Sequence, residues 1–232
     1  MPKIAAIFDL DGTLTDGHVW KGLSNYCTTF KVNRWRSYLF LATHTGLWLL
    51  FKLSILPQDS FYSLRITGTA ILLKGITKPK AIEVFYWIAS REIMARTRPE
   101  VIEALAFHQK KHHLIIIVSS AFNEILRQVG KRLEVPHTVG TDLEIKESRY
   151  TGKILGRACF GREKAILLQR YLKHQIIEPV DMTQSYAYGN DLQDVNILEL
   201  VGNPVVVQPG RKLSKIAKQR NWQILAEDKG QD

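Results

Sequence analysis

Four short apolar runs set the frame for this chain: Ile4–Phe8, Leu114–Val118, Tyr186–Tyr188 and Pro204–Val207. They are rich in Ile and Val and show little polar–apolar alternation, as strands covered on both faces do. Helical patterns separate them. Pro99–Lys111 opens with Pro-Glu and carries an apolar stripe at Val101, Ile102, Leu105 and Ala106, and Glu163–Lys173 and Leu192–Val201 are similar. This alternation predicts an α/β fold, a parallel sheet with helices on both sides. One interval breaks the rhythm. The first strand ends near Asp9 and the next begins near Leu114, whereas a crossover needs only about a dozen residues. The excess carries apolar residues at helical spacing, among them Ile66, Ala70 and Leu73, then Ile82, Phe85, Tyr86 and Ala89. The expected organisation is a core of residues 1–16 and 97–232, with an all-helical cap over 17–96 inserted after the first strand. A second excursion, Leu143–Leu155, alternates around a polar centre and predicts a β-hairpin.

Apolar residues make up 45% of the 232 and charged residues 23%, enough to bury a core. The polar end Glu227–Asp232 reads as a frayed tail. Cys27 and Cys159 lack any CxxC spacing, and the N-terminus lacks a signal-peptide layout. Reduced thiols and a cytoplasmic location are therefore expected. A net charge of +10 attracts anions without saying which. Arg211, Lys212, Lys215, Lys218 and Arg220 interleave with Leu213, Ile216 and Ala217. That is the solvated face of an amphipathic helix, and no nucleic-acid partner is expected. His108, His112 and His113 lack zinc-site spacing and read as helix-terminal or surface residues.

The chemistry begins at FDLDGTLTDG, Phe8–Gly17. Residues two apart on a strand share a face, so Asp9 and Asp11 converge at the carboxyl end of the first strand. In open parallel sheets that is where ligands bind. Gly12 lets the chain turn sharply, and Thr13 can hydrogen-bond back to the turn. Neighbouring carboxylates repel, so the pair wants a cation, and oxygen-only ligands point to Mg²⁺.

This segment resembles the first signature of the haloacid dehalogenase superfamily: an aspartate nucleophile, a second aspartate two residues on, then Thr. The resemblance implies a Rossmann-like core and three further signatures. LIIIVSSAF, Leu114–Phe122, resembles the second. Ser119 would donate its hydroxyl to a phosphate oxygen, and the Ser120 N–H would add another bond. CFGREKAILLQRYL, Cys159–Leu172, resembles the third and supplies Lys164 as the charge that neutralises the phosphate, with Arg162 as the alternative. The segment Tyr186–Val207 resembles the fourth, an acidic loop. Here the chain departs from the pattern, because Asn190 stands at the first acidic position. Asp191 is an extra carboxylate next door, and Asp194 matches the second position.

The resemblance thus implies a Mg²⁺-dependent phosphomonoester hydrolase with an aspartyl-phosphate on Asp9 and Asp11 as acid and base. Thr13, Ser119, Ser120 and Lys164 would hold the phosphate. Asp9, Asp11, Asn190, Asp191 and Asp194 would supply the metal site. A phosphotransferase, or a catalytically silent phosphate-binding domain, are the alternatives on the same fold. The cap position resembles the phosphoserine phosphatase-like subgroup. Those enzymes carry a glutamate shortly after the first signature, whereas His18 stands near that place here. Serine phosphate is therefore not the expected substrate.

The cap also contains Tyr38–Phe51, fourteen residues with no formal charge while His44 is neutral, and extension to Leu56 adds only Lys52. Thr43, His44, Thr45, Gly46 and Lys52 interrupt it as a membrane span. A buried pair of cap helices is expected. The alternative is peripheral membrane contact through residues 38–56, which with the basic charge would suggest a lipidic or amphipathic phosphate ester, so the substrate is expected to be a small-molecule or lipid phosphate ester. Trp20, Trp35, Trp48 and Trp87 all fall in the cap, with core positions favoured over pocket lining.

Overall fold

The computed structural model describes residues 2–226, and the tail expected at Glu227–Asp232 lies outside them. Seven strands form one sheet: β1 (Ala5–Phe8), β2 (Leu114–Phe122), β3 (His137–Lys146), β4 (Arg149–Leu155), β5 (Tyr186–Gly189), β6 (Asn203–Val207) and β7 (Gln223–Leu225). Their order is β4-β3-β2-β1-β5-β6-β7, and all neighbours are parallel except β3 with β4. The chain winds from β1 to one side of the sheet and then crosses to the other. β1 is therefore the switch strand, and a crevice opens beyond its carboxyl end.

The insertion that follows β1 holds four helices: α1 (Val19–Thr29), α2 (Arg34–Lys52), α3 (Gln58–Ile71) and α4 (Lys78–Ile88). A π-helical turn (Ala89–Ile93) and a 3-10 turn (Met94–Arg96) return the chain to the sheet. Entry and exit run side by side. The Asp16 N–H donates to the Arg96 carbonyl at 3.0 Å, and the Arg98 N–H to Leu14 at 2.9 Å. The Thr15 hydroxyl donates to the carbonyls of Ile93 and Arg96, each at 2.9 Å.

The remaining helices are α5 (Pro99–Lys110), α6 (Asn123–Leu133), α7 (Arg162–Gln175), the single turn α8 (Val195–Leu198) and α9 (Arg211–Gln219). Because both faces of β1 and β2 are apolar, both must be covered. Phe8 and Ile117 pack with Leu105 of α5 and Ile125 of α6, and this cluster continues into the helical insertion through Leu23, Ala70 and Ile88. Ile7 and Ile116 pack on the opposite face with Leu168 of α7, Leu198 of α8 and Leu213 of α9. The basic residues of α9 face outward, as the sequence pattern implies. Both cysteines are free and buried.

Several expectations need correction. Residues 38–56 are not a buried helix pair. They belong mostly to α2, which buries only Ser37 and Phe40, and Trp35, expected in the core or a pocket, is 74% exposed. An apolar helix needs a partner for every face, and α2 packs along one side only. His108 is no surface residue. It is fully buried, with Nε2 2.9 Å from the Tyr188 hydroxyl and Nδ1 2.8 Å from His113 Nδ1. The stacked rings of Phe8 and Tyr188 leave a slot beside β1 that an imidazole fills. The hairpin forms, with Glu147 and Ser148 at positive φ in its two-residue turn. However, its first strand starts earlier, at His137, because β3 first pairs parallel with β2 and only then turns to receive β4.

Candidate active site

Asp9 continues the β1 ladder by donating its N–H to the Tyr188 carbonyl at 3.0 Å. The chain then reverses. The Gly12 N–H donates to Thr15 at 2.7 Å, and the Thr13 N–H to Leu10 at 3.2 Å. Gly12 holds φ +92°, and a Cβ there would lie 2.3 Å from Asn190 Nδ2. Only glycine allows this turn to approach the β5 loop so closely.

The turn delivers Asp9 into a buried cluster, where it is only 3% exposed. Lys164, in the first turn of α7, places Nζ 2.6 Å from Asp9 Oδ1 and 2.6 Å from Asp194 Oδ1. The Thr13 hydroxyl lies 2.9 Å from Asp9 Oδ2 and 3.1 Å from Asn190 Oδ1. Asp194 accepts on its other oxygen the N–H groups of Asn190 and Asp191, both at 3.0 Å. Asp191 accepts the Gln193 N–H at 3.0 Å and the Tyr62 hydroxyl at 3.2 Å. Leu192–Val201, expected as one helix, opens as a 3-10 turn (Leu192–Asp194) closed by this reciprocal capping, and α8 follows.

Asp11 turns toward the insertion, where one carboxylate oxygen accepts the Val19 N–H at 3.3 Å. Its Oδ1 is buried without a partner. Ser119 is fully buried and accepts the Ala121 N–H at 3.1 Å. Ser120 faces the cavity. Both serines fall where the β2–β3 register shifts, between Val118 and Phe122. Arg162 is exposed, so the lysine and not the arginine reaches the cluster.

Burial, then the neighbouring Asp194 charge, pushes Asp9 up to about 7 against the pull of Lys164. Burial lifts Asp11 to about 6. Burial alone would lower Lys164, but Asp194 and Asp9 hold it above its ordinary value. The cluster is thus short of positive charge. The single Thr13 proton also lies between two acceptor oxygens, those of Asp9 and Asn190, and can satisfy only one fully.

A cavity of about 120 Å³ opens over these groups and is also lined by His18, Tyr62 and Arg65. Arg65 and Tyr62 come from α3, and the guanidinium lies over the Tyr62 ring at 4.4 Å. Sequence reasoning missed both. They sit three residues apart on a helix with no motif around them, and an Arg among amphipathic residues gives no signal. Burial lowers His18 to about 4, with Lys21 and Arg65 adding to the effect, so its imidazole is neutral.

Fold and site together mark an α/β enzyme whose chemistry sits over the switch strand. The model of the haloacid dehalogenase-like hydrolases matches residues 6–199, and the chain belongs to that family. It is 27% identical over 235 residues to a histidinol-phosphatase of Neisseria meningitidis, covering 96% of this chain and 98% of that protein. A probable phosphatase of Mycobacterium tuberculosis is 28% identical over 127 residues, 55% of this chain but only 43% of that longer protein. Among solved structures, a Bordetella pertussis protein described as of unknown function superposes with a TM-score of 0.81 at 20% identity, covering 97% of this chain and 99% of that one.

Proposed function

We propose that this hydrolase is a Mg²⁺-dependent phosphomonoesterase in which Asp9 is the nucleophile. The observation that carries the reading is the placement of Asp9. It lies at the end of the switch strand, buried, with one oxygen on Lys164 Nζ and the other on the Thr13 hydroxyl.

The metal reading rests on the donor set. Among the described residues no group of three or more His, Cys, Asp or Glu side chains forms a cage. The oxygens that meet at the Thr13 hydroxyl are instead the Asp9 carboxylate and the Asn190 amide, which the Asp11 backbone carbonyl would join by the family resemblance. Such a sparse oxygen set suits Mg²⁺, which keeps several waters. The shared Thr13 proton and the raised Asp9 carboxyl both call for a cation there. Asp191 and Asp194 are less suited as ligands, because their oxygens already serve Tyr62, Lys164 and the loop amides. When bound, Mg²⁺ would draw charge from the phosphate and favour the ionised form of Asp9.

The residues then divide the work. Asp9 attacks phosphorus, the ester P–O bond breaks, and the leaving alcohol takes a proton from Asp11. A carboxyl near 6 still holds a useful fraction of that proton close to neutral pH. Water next gives a proton to Asp11 and attacks the phosphorus of the aspartyl-phosphate. Inorganic phosphate leaves and Asp9 is restored. Lys164 and the Ser119–Ser120 segment at the end of β2 supply fixed positive ends for the phosphoryl oxygens. Asp194 keeps Lys164 in place.

A groove of about 420 Å³ shares His18, Tyr62 and Arg65 with the cavity and continues past Trp20, His44 and Phe61 to Lys52. No carboxylate lines it. Lys21, Lys52 and Arg65 along the groove, with no carboxylate among its lining, favour an apolar or anionic alcohol portion, small or lipidic, over one bearing an ammonium group. Asp9→Asn should abolish Mg²⁺-dependent phosphate release from an aryl phosphate. Wild-type turnover in that variant would overturn the reading.

A further inference from the structure

The helix α2 presents an apolar face to solvent. At 100° per residue, Trp35, Leu39, Ala42, Leu49 and Leu53 fall within one arc of about 80°, and all are exposed. Trp35 is 74%, Leu39 66% and Leu53 68% exposed, and Ile55 just beyond is 65% exposed. The inward side, with Phe40 and His44, packs against Trp20 and Phe61. The threonines of this helix add little outward polarity. The Thr43 and Thr45 hydroxyls both fold back onto helix carbonyls, at 2.9 Å from Leu39 and Leu41 respectively. Among the described residues, ten of the seventeen exposed large hydrophobic residues lie from Phe30 to Ile55. Such a concentrated apolar surface marks an interaction face.

Charge identifies the occupant. Residues 17–58 contain no Asp or Glu, but carry Lys21, Lys31, Arg34, Arg36 and Lys52. Arg34 lies over the Trp35 ring at 5.8 Å and Lys52 over Trp48 at 5.5 Å, so cations rim the apolar face. No helix among the described residues is long and apolar enough to cross a membrane. From these observations we infer that α2 and the loop after it dock this protein flat on an anionic lipid bilayer, with Trp35, Leu39 and Leu53 entering the headgroup–acyl boundary. A second copy of the chain meets the same requirement poorly. A two-fold contact through this face would bring two acid-free, five-cation segments together. A bilayer carrying acidic headgroups satisfies both the apolar arc and its cationic rim.

This inference goes beyond the hydrolytic reading and does not depend on it. The test is sedimentation of the full chain with vesicles of phosphatidylcholine alone or mixed with phosphatidylglycerol. Binding to the anionic vesicles should exceed binding to the neutral ones by about tenfold or more, and added salt should weaken it. The triple variant Trp35→Ser, Leu39→Ser, Leu53→Ser should remain in the supernatant, yet hydrolyse a soluble aryl phosphate at the wild-type rate. None of the three side chains lines the catalytic cavity or its groove. The inference is overturned if the wild type ignores anionic vesicles at low salt, or if the variant binds them equally well. It is also overturned if the wild type is a dimer that the variant dissolves and no vesicle binding is seen.

Discussion

Replacing Lys164 by Met tests the electrostatic logic of the site. Its Nζ stands 2.6 Å from one oxygen of Asp9 and 2.6 Å from one of Asp194, so those oxygens are at most twice 2.6 Å apart. All three side chains are buried. Removing the cation leaves two desolvated carboxylates facing each other. Breaking a buried pair in this way costs about 3–5 kcal/mol. Proton uptake can relieve most of that. A carboxyl whose folded pKa lies above its unfolded value, 3.8 for Asp9, contributes stability that is complete below the unfolded value and lost as pH rises through the folded one. Loss of Lys164 removes a group that holds the Asp9 value down, so the variant's deficit should grow with pH. Urea denaturation in the presence of a chelator should show a loss of about 3–5 kcal/mol near pH 8 and about 1–2 kcal/mol near pH 5. Adding Asp194→Asn should restore much of the stability but none of the turnover. A loss below about 1 kcal/mol, or the same loss at both pH values, would refute the argument that this lysine neutralises the cluster.

Three further outcomes are expected. Metal-free wild type should lose stability as pH climbs from the unfolded value of 3.8 to about 6 for Asp11 and about 7 for Asp9, and Mg²⁺ should raise Tm more near pH 8 than near pH 5. Equal shifts at both pH values would remove Asp9 from the metal's surroundings. Gly12→Ala, at φ +92° and 2.3 Å from Asn190 Nδ2, should cost about 1–3 kcal/mol in urea and lower kcat; unchanged values would show that the turn yields freely. Arg65→Ala should raise KM about tenfold or more with a smaller change in kcat, since the guanidinium lies where groove and cavity meet. A kcat-only effect measured on the preferred ester would place Arg65 at the reacting phosphate instead.

The candidate cluster was legible because its members Asp9, Thr13, Ser119 and Lys164 sit at strand ends or in a helix's first turn, places the sequence marks with short-range signals. Asp9, Asp11 and Thr13 follow an apolar run, Ser119 closes another, and Lys164 follows Gly161 into α7. What stayed hidden depends on contacts made across the fold. Tyr62 and Arg65 reach the cavity only because α3 lies across the mouth of the crevice. His108 looked like a residue at a helix end, and only the space beside Phe8 and Tyr188 makes it core. The apolar stretch around α2 read as buried because hydropathy reports what a helix could bury, not whether a neighbour covers it. The three-residue strand β7 was too short to rise above its polar surroundings.

The hydrogen-bonded neck at Thr15, Asp16 and Arg96 leads to a last point. The polypeptide leaves the sheet and rejoins it at adjoining positions, and β1 pairs directly with β2. The strand that bears the carboxylates therefore keeps its register whatever length of chain is spliced between the two. Exchange of the four-helix insert would therefore leave Asp9 aimed as it is now. A laboratory graft of a related insert across this neck should inherit the donor's selectivity while retaining the host's catalytic apparatus.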